Sequence, residues 1–207
     1  MVMKVRTEAR REAIVEAAAL LFQEVGYERA SMNELTKRLG GSKATLYGYF
    51  PSKESLFVEV VRSVATVHLS EAVAQLAAPD KDEVTLEQML RRFGERMLFV
   101  LTNESSALAV YRMVMAEAGR SNIGMLFYEA GPSDCNEVLS TWMAEAMNRG
   151  ELHQADPQVK AAQFLALLTA EVQIRFYQPA SQPLEVAQIQ ALVGRAVEMF
   201  LLGAAPR

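Results

Sequence analysis

The stretch "SMNELTKRLGGSKATLYGYFPSKESLF", residues 31–57, places helix starts and helix stops in close succession. Ser31 is followed three residues later by Glu34, which is the spacing of a capping box that opens a helix. That helix should end at Gly40-Gly41, because glycine accepts the left-handed conformation that ends many helices. Ser42 can cap a further helix that runs to about Phe50. Two short helices joined by a tight glycine turn predict a helix-turn-helix.

The second of these helices, residues 42–50, has a single apolar side when its residues are spaced at about 100°. Leu46 and Phe50 form the inward stripe, and Ala44 and Gly48 lie opposite it. Hydroxyl and ammonium groups occupy the two flanks: Lys43 and Tyr47 on one side, and Ser42, Thr45 and Tyr49 on the other. Such donors suit phosphates on the two walls of a major groove, while the small residues let the backbone approach the groove floor.

Each of these residues also has a simpler interpretation when it is taken alone. Tyr47 and Tyr49 could be half-buried packing residues, and Lys43 and Lys53 could be ordinary solvated charges. Gly48 could be a tolerated defect, although glycine costs about 1 kcal/mol relative to alanine inside a helix. The coincidence of all of them beside one short capped helix favours a DNA-binding face. Lys53 starts the next helix, where free backbone amides and the helix dipole favour a phosphate.

The pattern is helical along nearly the whole chain. Ile14, Ala18, Leu21 and Val25 recur at helical spacing before Gly26, which predicts a first helix. A fourth helix is predicted from residue 52 to about residue 77. Further helices are predicted at about residues 84–101, 104–118, 122–130, 133–149, 156–177 and 185–203. No segment alternates with period 2, so the sequence predicts an all-α fold of about nine helices.

Composition and charge place the helices in two parts. Residues 1–53 hold nine Lys/Arg against six Asp/Glu, whereas residues 54–207 hold twelve against nineteen. This asymmetry predicts a mildly basic contact domain, residues 1–52, on an acidic body, residues 53–207. The single cysteine, Cys135, fits a reducing compartment. With neither a signal peptide nor an apolar run near the roughly 20 residues of a membrane span, the expectation is a soluble cytoplasmic protein without a membrane partner.

The N-terminal part resembles the DNA-binding domain of the TetR family of transcriptional regulators. The resemblance covers residues 11–61 and is most specific in the run S-K-A-T-L-Y-x-x-F-x-S-K-E-x-L-F. It implies a homodimer whose third helices enter successive major grooves of a double-stranded operator. By position it implies phosphate contacts from Thr45, Tyr47, Tyr49 and Lys53. It implies base-edge contacts from Lys43 and Ala44, with Tyr47 as a further candidate.

The complete predicted DNA-binding set is Ser31, Ser42, Lys43, Ala44, Thr45, Tyr47, Gly48, Tyr49 and Lys53. Two positions depart from the family pattern. Gly41 replaces the usual small apolar residue of the turn, which predicts a looser turn. Gly48 stands where the family often has a large or basic residue.

The C-terminal body resembles the AefR-type subgroup in "ALAVYRMVMAEAGR", in "LFYEAGPSD" and in the later "GEL…DP…AAQFLALL". Such domains bind a small effector, and the many flexible and aromatic apolar residues here suit either an adaptable pocket or a plain core. The candidate pocket residues are Phe93, Met97, Tyr111, Phe127, Trp142 and Phe164, with Glu117, Glu171 and Arg175 as polar anchors.

The last two predicted helices carry more apolar surface than one thin layer of helices covers. This surplus favours a four-helix dimer interface, with a closed monomeric core as the alternative. The candidate interface residues are Leu168, Val172, Phe176, Ile189, Val193, Val197 and Phe200. His68, His153 and Cys135 share no metal-ligand spacing, so neither a metal nor a cofactor is expected.

These patterns together predict a ligand-responsive transcriptional regulator, most simply a repressor that a small apolar or amphipathic effector releases from a palindromic operator. The alternatives are an activator or a DNA-binding protein without a ligand. An all-α enzyme is a further alternative, but the chain has no GxSxG, Walker loop or GxGxxG motif.

Overall fold

The computed structural model describes residues 7–63, 84–178 and 181–206. Within these residues the chain forms eleven α-helices and no strand, so the all-α class is confirmed and the helix count exceeds the expected nine. The helices are α1 Glu8–Val25, α2 Met32–Leu39, α3 Lys43–Tyr49, α4 Lys53–Val61, α5 Leu86–Asn103, α6 Ser105–Glu117, α7 Ile123–Ala130, α8 Pro132–Asn148, α9 Pro157–Ala170, α10 Gln173–Phe176 and α11 Val186–Ala204.

Most predicted boundaries lie within two residues of the observed ones, but the helix predicted over residues 156–177 was wrong. It ends at Ala170, and the separate short helix α10 begins at Gln173. Around the break the hydrogen bonds tighten to an i→i−3 pattern, since Val172 N donates to Thr169 O at 3.1 Å. The predicted extension of the fourth helix from residue 64 to about residue 77 lies outside the described residues.

The first structural unit comprises the described residues 7–63 and 109–131. In this unit α1 packs against α2 and α4, α2 packs against α3, and α4 packs against α7. The fully covered side chains of its core include Ile14, Leu21, Leu35, Leu56, Phe57, Val60, Val114 and Ile123. The structure therefore groups α4 and residues 109–131 with the helix-turn-helix, whereas the sequence division fell after residue 52.

The second unit comprises the described residues 84–108, 132–178 and 181–206. Here α8 packs on α9, and α11 packs on both α5 and α9. Gly94 allows this close packing: a Cβ at that position would lie 2.9 Å from side-chain carbons of Leu168 on α9 and Val193 on α11. Because each helix buries an apolar stripe against the others, the unit has its own core.

Among the described helices, α11 is long and apolar enough to cross a membrane by length and composition, with a mean hydropathy of 1.3. The sequence analysis expected no apolar run close to that length. Ile189, Val193, Val197 and Phe200 of α11 are all buried in the core of the second unit. Packing inside the second unit thus accounts for one side of α11, while Val186, Met199 and Leu202 remain exposed.

Candidate nucleic-acid interface

Helix α2 begins at a side-chain cap. The Ser31 hydroxyl accepts a hydrogen bond from Glu34 N at 3.1 Å, as the sequence predicts. The reciprocal half of the capping box is not formed, because the Glu34 carboxylate turns to the end of the helix and lies 3.6 Å from Arg38 Nε. Ser31 therefore fixes the start of α2 while remaining exposed.

The turn between α2 and α3 is held more firmly than the two adjacent glycines predict. Gly40 ends α2 in the left-handed region, with φ at 61°. Arg10 reaches across from α1 and donates from Nη2 to Leu39 O at 3.2 Å. A Cβ on Gly41 would lie 3.3 Å from that same nitrogen. Gly41 thus leaves room for the Arg10 guanidinium over the turn, and the expectation of a looser turn is corrected.

Helix α3 begins at Ser42, whose hydroxyl accepts a hydrogen bond from Thr45 N at 3.1 Å. The Ser42 and Thr45 hydroxyl oxygens also share one hydrogen bond of 2.9 Å. Because two hydroxyl protons are available and this bond uses one, either Ser42 or Thr45 keeps an O–H that can donate to a phosphate. Leu46 and Phe50 are buried, so the predicted inward stripe is confirmed.

The opposite side of α3 is open to solvent. Lys43, Ala44 and Thr45 are exposed, and Tyr47 keeps 46% of its surface accessible. Tyr47 thus leaves nearly half of its surface open to solvent on the outward side of α3, outside the core. Gly48 is half-buried, which makes it less open than Ala44.

Tyr49 combines packing with polar contact. Its ring packs against the core of the first unit, and its phenol oxygen accepts a hydrogen bond from Thr7 N at 3.0 Å. Thr7 is the N-cap of α1, so this bond ties the start of α1 to the end of α3. The phenol keeps its own proton, which remains available as a donor.

Lys53 corrects one of the sequence predictions. Its ammonium donates to three backbone carbonyls of the loop after α1: Tyr27 O at 2.9 Å, Ala30 O at 3.3 Å and Glu28 O at 3.4 Å. Its nitrogen also lies 4.2 Å from the centre of the Tyr27 ring. All three N–H groups of the ammonium are thus engaged within the protein, so Lys53 holds a loop and is no longer a candidate phosphate donor.

Two charged residues behind α3, one on α1 and one on α4, form an ion pair. The Arg11 guanidinium meets the Glu59 carboxylate with two contacts, of 3.0 Å and 2.7 Å, and this pair joins α1 to α4. Hydrogen bonding to Glu59 raises the pKa of Arg11 above its ordinary value, so the guanidinium stays charged. Arg11 Cζ also lies 5.3 Å from the centre of the Phe50 ring, directly behind α3.

The arrangement of α1–α4 agrees with comparisons to known proteins. A family model for bacterial regulatory proteins of the tetR family matches residues 14–60, and a model for the C-terminal domain of AefR-like transcriptional repressors matches residues 88–203. The second match alone covers more than half of the chain. The chain belongs to the TetR family.

Individual members of the TetR family extend the likeness to the whole chain. The A-factor receptor protein of Streptomyces griseus is 29% identical over 175 residues, which are 82% of this chain and 56% of the receptor. This chain thus matches little more than half the length of that relative. A TetR-family regulator from Mesorhizobium loti is 26% identical, with a TM-score of 0.76 and coverage of 98% of this chain and all of the other. The flavonoid-responsive regulator FrrA is 30% identical, with a TM-score of 0.76 and coverage of 97% and 100%.

The residues predicted for an effector pocket of this TetR-family protein fall into both units. In the second unit Phe93 lies buried against Trp142 and Phe164, with ring centres 6.2 Å and 6.4 Å apart. These rings touch one another as a core does. In the first unit, Tyr111 and Phe127 form another edge-to-face pair at 6.2 Å. Met97 is half-buried at the margin of the second core.

The three predicted polar anchors each have a partner within the chain. The Glu171 carboxylate pairs with Arg195 of α11 at 2.7 Å, and Arg195 lowers the pKa of Glu171. Arg175 donates to the backbone carbonyl of Gln182. Glu117 accepts a hydrogen bond from Glu28 N at 3.1 Å, within the first unit.

The residues predicted for the dimer interface also require correction. Six of the seven are buried within the protomer, at 0–4% exposure, and Phe176 is half-buried: Leu168, Val172, Phe176, Ile189, Val193, Val197 and Phe200. They form the inward stripe of these helices, and Phe200 also lines a groove between α9 and α11. The exposed apolar residues lie on the other side, with Val159 on α9 and Met199 and Leu202 on α11 at 50%, 63% and 75% exposure.

Of these exposed residues, Met199 lines the groove of about 430 Å³ between α9 and α11, whose lining also includes Lys160, Gln163, Ala166, Leu167, Phe200 and Gly203. The sequence analysis missed this face because α11 is apolar on more than one side. Gly203, which lines this groove, was the available signal, since small residues on a helix permit a close approach of another helix.

Proposed function

We propose that this protein is a repressor that binds a palindromic operator in the cytoplasm as a homodimer and is released from it by a small apolar or amphipathic effector. The observation that carries the DNA-binding part is the outward side of α3. Ala44 presents little bulk there, and Lys43, Thr45 and Tyr47 surround it with exposed donor groups. A side of that shape fits the major groove, with donors directed to both phosphate walls.

The donor groups on α3 are proposed to contact two parts of the DNA, the phosphates and the base edges. The Tyr47 phenol and whichever of Ser42 and Thr45 keeps its O–H are placed to reach phosphates, and Tyr49 can add its remaining proton at the end of the helix. Lys43, in the first turn of α3, is placed to reach base edges, because the N-terminal residues of a recognition helix commonly contact bases. Ser31 reinforces the site indirectly by capping α2.

Homodimerisation is proposed to use the outward side of α9 and α11. Met199 and Leu202 are large, apolar and exposed, and Val159 extends the same apolar character onto α9. A second copy would cover them in an isologous four-helix arrangement. The pairing would place two α3 helices about one turn of DNA apart, roughly 34–36 Å.

Repression, rather than activation, is supported by the family model for AefR-like repressors that matches residues 88–203. The effector class is supported by the aromatic core of the second unit and by FrrA, whose name describes it as flavonoid-responsive. A planar aromatic molecule that displaced Phe93 or Trp142 would exchange ring–ring contacts for similar ones. A coupling of about 1–3 kcal/mol between effector and operator would change DNA affinity about 5- to 150-fold.

The DNA-binding part is tested by selecting duplexes from a random library on the purified protein. We expect enrichment of a palindrome whose half-sites lie about 10 base pairs apart. Ala44→Glu, which places a carboxylate on the outward side of α3, should abolish the selection, while the same exchange at the exposed Ala155, in the loop before α9, should not. Failure to enrich any palindrome would contradict the proposal.

The effector part is tested separately on the selected duplex. Trp142 is the single tryptophan of the chain and lies in the core of the second unit, so its emission reports ligands that enter this core. A panel of flavonoids would be titrated while Trp142 emission and DNA anisotropy are followed together. We expect one or more compounds to shift the emission and release the DNA. A compound that shifts the emission but leaves DNA affinity unchanged counts against an effector-controlled repressor.

A further inference from the structure

The loop of residues 26–30, between α1 and α2, forms hydrogen bonds with side chains of α4 and α6 within the first unit. From the start of α4, Lys53 donates to three of its carbonyls. From the end of α6, the Glu117 carboxylate accepts a hydrogen bond from Glu28 N at 3.1 Å. The loop leads directly into Ser31, the cap of α2. Its conformation therefore sets where the helix-turn-helix begins.

The contact with Glu117 shapes the loop at a second point. Gly26 ends α1 with φ at 79°, in the left-handed region. A Cβ on Gly26 would lie 2.6 Å from Glu117 Oε1, which is too close for the carboxylate to keep its place. Glycine at position 26 thus serves the backbone conformation and also admits the Glu117 carboxylate beside the loop.

The side chain of Tyr27 anchors the loop between these two contacts. Its ring is buried and packs edge-on against Phe57 of α4, with centres 5.1 Å apart. The Lys53 ammonium lies over the same ring. A displacement of the loop would therefore move the ring that packs on α4, the helix that follows α3. Through this loop Glu117 is linked both to the start of α2 and to α4, the helices on either side of α3.

We propose that Glu117 is a positioning residue for operator binding, acting through the amide of Glu28 on the orientation of the helix-turn-helix. The proposal rests on the DNA-binding part of the proposed function. Glu117 lies within the segment that matches the AefR-like C-terminal domain, yet it holds a loop of the N-terminal domain. It is half-buried and touches no surface expected to face DNA, so its effect on affinity would be indirect.

The test measures affinity for a duplex selected on the wild-type protein. Glu117→Ala should weaken binding at least about fivefold, the lower end of the range for coupled sites. Glu117→Gln keeps an oxygen that can accept the Glu28 N–H, so it should bind within about twofold of the wild type. Glu129→Ala is the matched control, because Glu129 is an exposed carboxylate of α7 in the same unit. It too should bind within about twofold.

Two further measurements separate positioning from general stability. Hydrogen exchange at the Glu28 amide should speed up in Glu117→Ala and stay slow in Glu117→Gln. Gly26→Ala should weaken binding much less in the Glu117→Ala background than in the wild type, because the displaced carboxylate is already gone. If Glu117→Ala does not fold, Glu117→Asp, which keeps the charge but is one methylene shorter, takes its place with the same expected loss.

The outcomes are distinguishable from those for the proposed function. A wild-type protein that enriches no duplex overturns both. If the wild type binds and Glu117→Ala binds equally well, the positioning proposal alone is overturned. Unchanged exchange at Glu28, or effects of Gly26→Ala and Glu117→Ala that simply multiply, overturns it as well.

Discussion

Replacing Lys53 by methionine discriminates between two functions for this residue. Methionine keeps an unbranched side chain and a similar helix propensity, so the exchange removes the ammonium and little else. In the structure the ammonium holds three carbonyls of the loop of residues 26–30 and lies over Tyr27. If this contact is the function of Lys53, the variant should lose stability. If Lys53 instead binds phosphate, stability should hold and the salt dependence of DNA binding should fall.

The size of the loss can be worked from the distances. The bond to Tyr27 O, at 2.9 Å, is the only one of the three near the usual optimum, and the others are 3.3 Å and 3.4 Å. A hydrogen bond to a charged group contributes about 1.5–3 kcal/mol, and Lys53 is only half-buried, so the low end applies. The ring contact adds about 0.5–1 kcal/mol. Together they predict a loss of about 2–2.5 kcal/mol in the free energy of unfolding.

The assay is urea unfolding followed by two signals. Circular dichroism reports the helices of both units, whereas emission from Trp142 reports the second unit alone. With a urea m-value of about 2 kcal/mol/M, the loss corresponds to a shift of about 1 M in the dichroism midpoint. The Trp142 transition should move less, because Lys53 belongs to the first unit.

The salt dependence of DNA binding supplies the refuting result. A lost phosphate contact lowers the slope of log affinity against log salt by about 0.9 in each subunit. We expect Lys53→Met to leave this slope unchanged and to weaken binding at every salt concentration. Lys43→Met removes an exposed cation from α3 that would lie within the groove between the phosphate walls, so it is the control that should lower the slope without destabilising the fold. An unchanged urea midpoint with a reduced slope for Lys53→Met would refute the structural function.

Three further predictions concern other parts of the chain. Leu202→Glu places a charge on the proposed dimer surface, so sedimentation should show monomers and operator affinity should fall, whereas a dimer of unchanged stability would place the interface elsewhere. Gly48→Leu adds bulk beside the groove floor and should weaken operator binding at least about tenfold, measured by anisotropy; full affinity would refute the close approach of α3. Burial, aided by the Asp134 carboxylate, raises the pKa of Cys135 to about 11, so at pH 8 its reaction with a thiol reagent should be roughly 200-fold slower in the folded protein than in urea, and equal rates would contradict that burial.

Local signals in the sequence were sufficient for the helix boundaries. Ser31 and Ser42 each cap the helix that they were expected to start, since a cap needs only a side chain and an amide two or three residues away. The break after Ala170 was not predictable in this way. No glycine or proline marks it, and the Glu171 that ends α9 is held by Arg195 from a distant part of the chain.

Partners of long polar side chains could not be predicted from the sequence. Lys53 stands where a phosphate contact is expected by position, but its ammonium reaches carbonyls more than twenty residues away. Glu117 was read as a pocket anchor and instead holds the amide of Glu28, 89 positions away in the chain. These choices depend on which loops fold close to a helix end, and spacing along the sequence does not contain that information.

The sequence pattern was also not sufficient to predict which apolar residues form the proposed dimer surface. On α11, the wheel contains both the buried Val193 and Val197 and the exposed Met199 and Leu202. Periodicity identifies apolar sides but does not say which one faces the protomer core. The predicted interface residues of α11 instead belong to the core, where Val193 packs against Gly94 of α5.

The hydrogen-bonding groups that α3 can offer to a partner are those not already used within the protein. The Ser42 oxygen accepts from the helix start and the Tyr49 oxygen accepts from Thr7 N, so both groups face outward chiefly as donors. The nearby carboxylates of Glu34 and Glu59 are paired with arginines, which removes the negative charge that would repel DNA. What remains outward is a set of donors without a competing acceptor of full charge. Such a surface favours an anionic backbone over a cation or an apolar partner. The exposed side of α3 therefore supports a DNA partner more strongly than the net charge of the chain does.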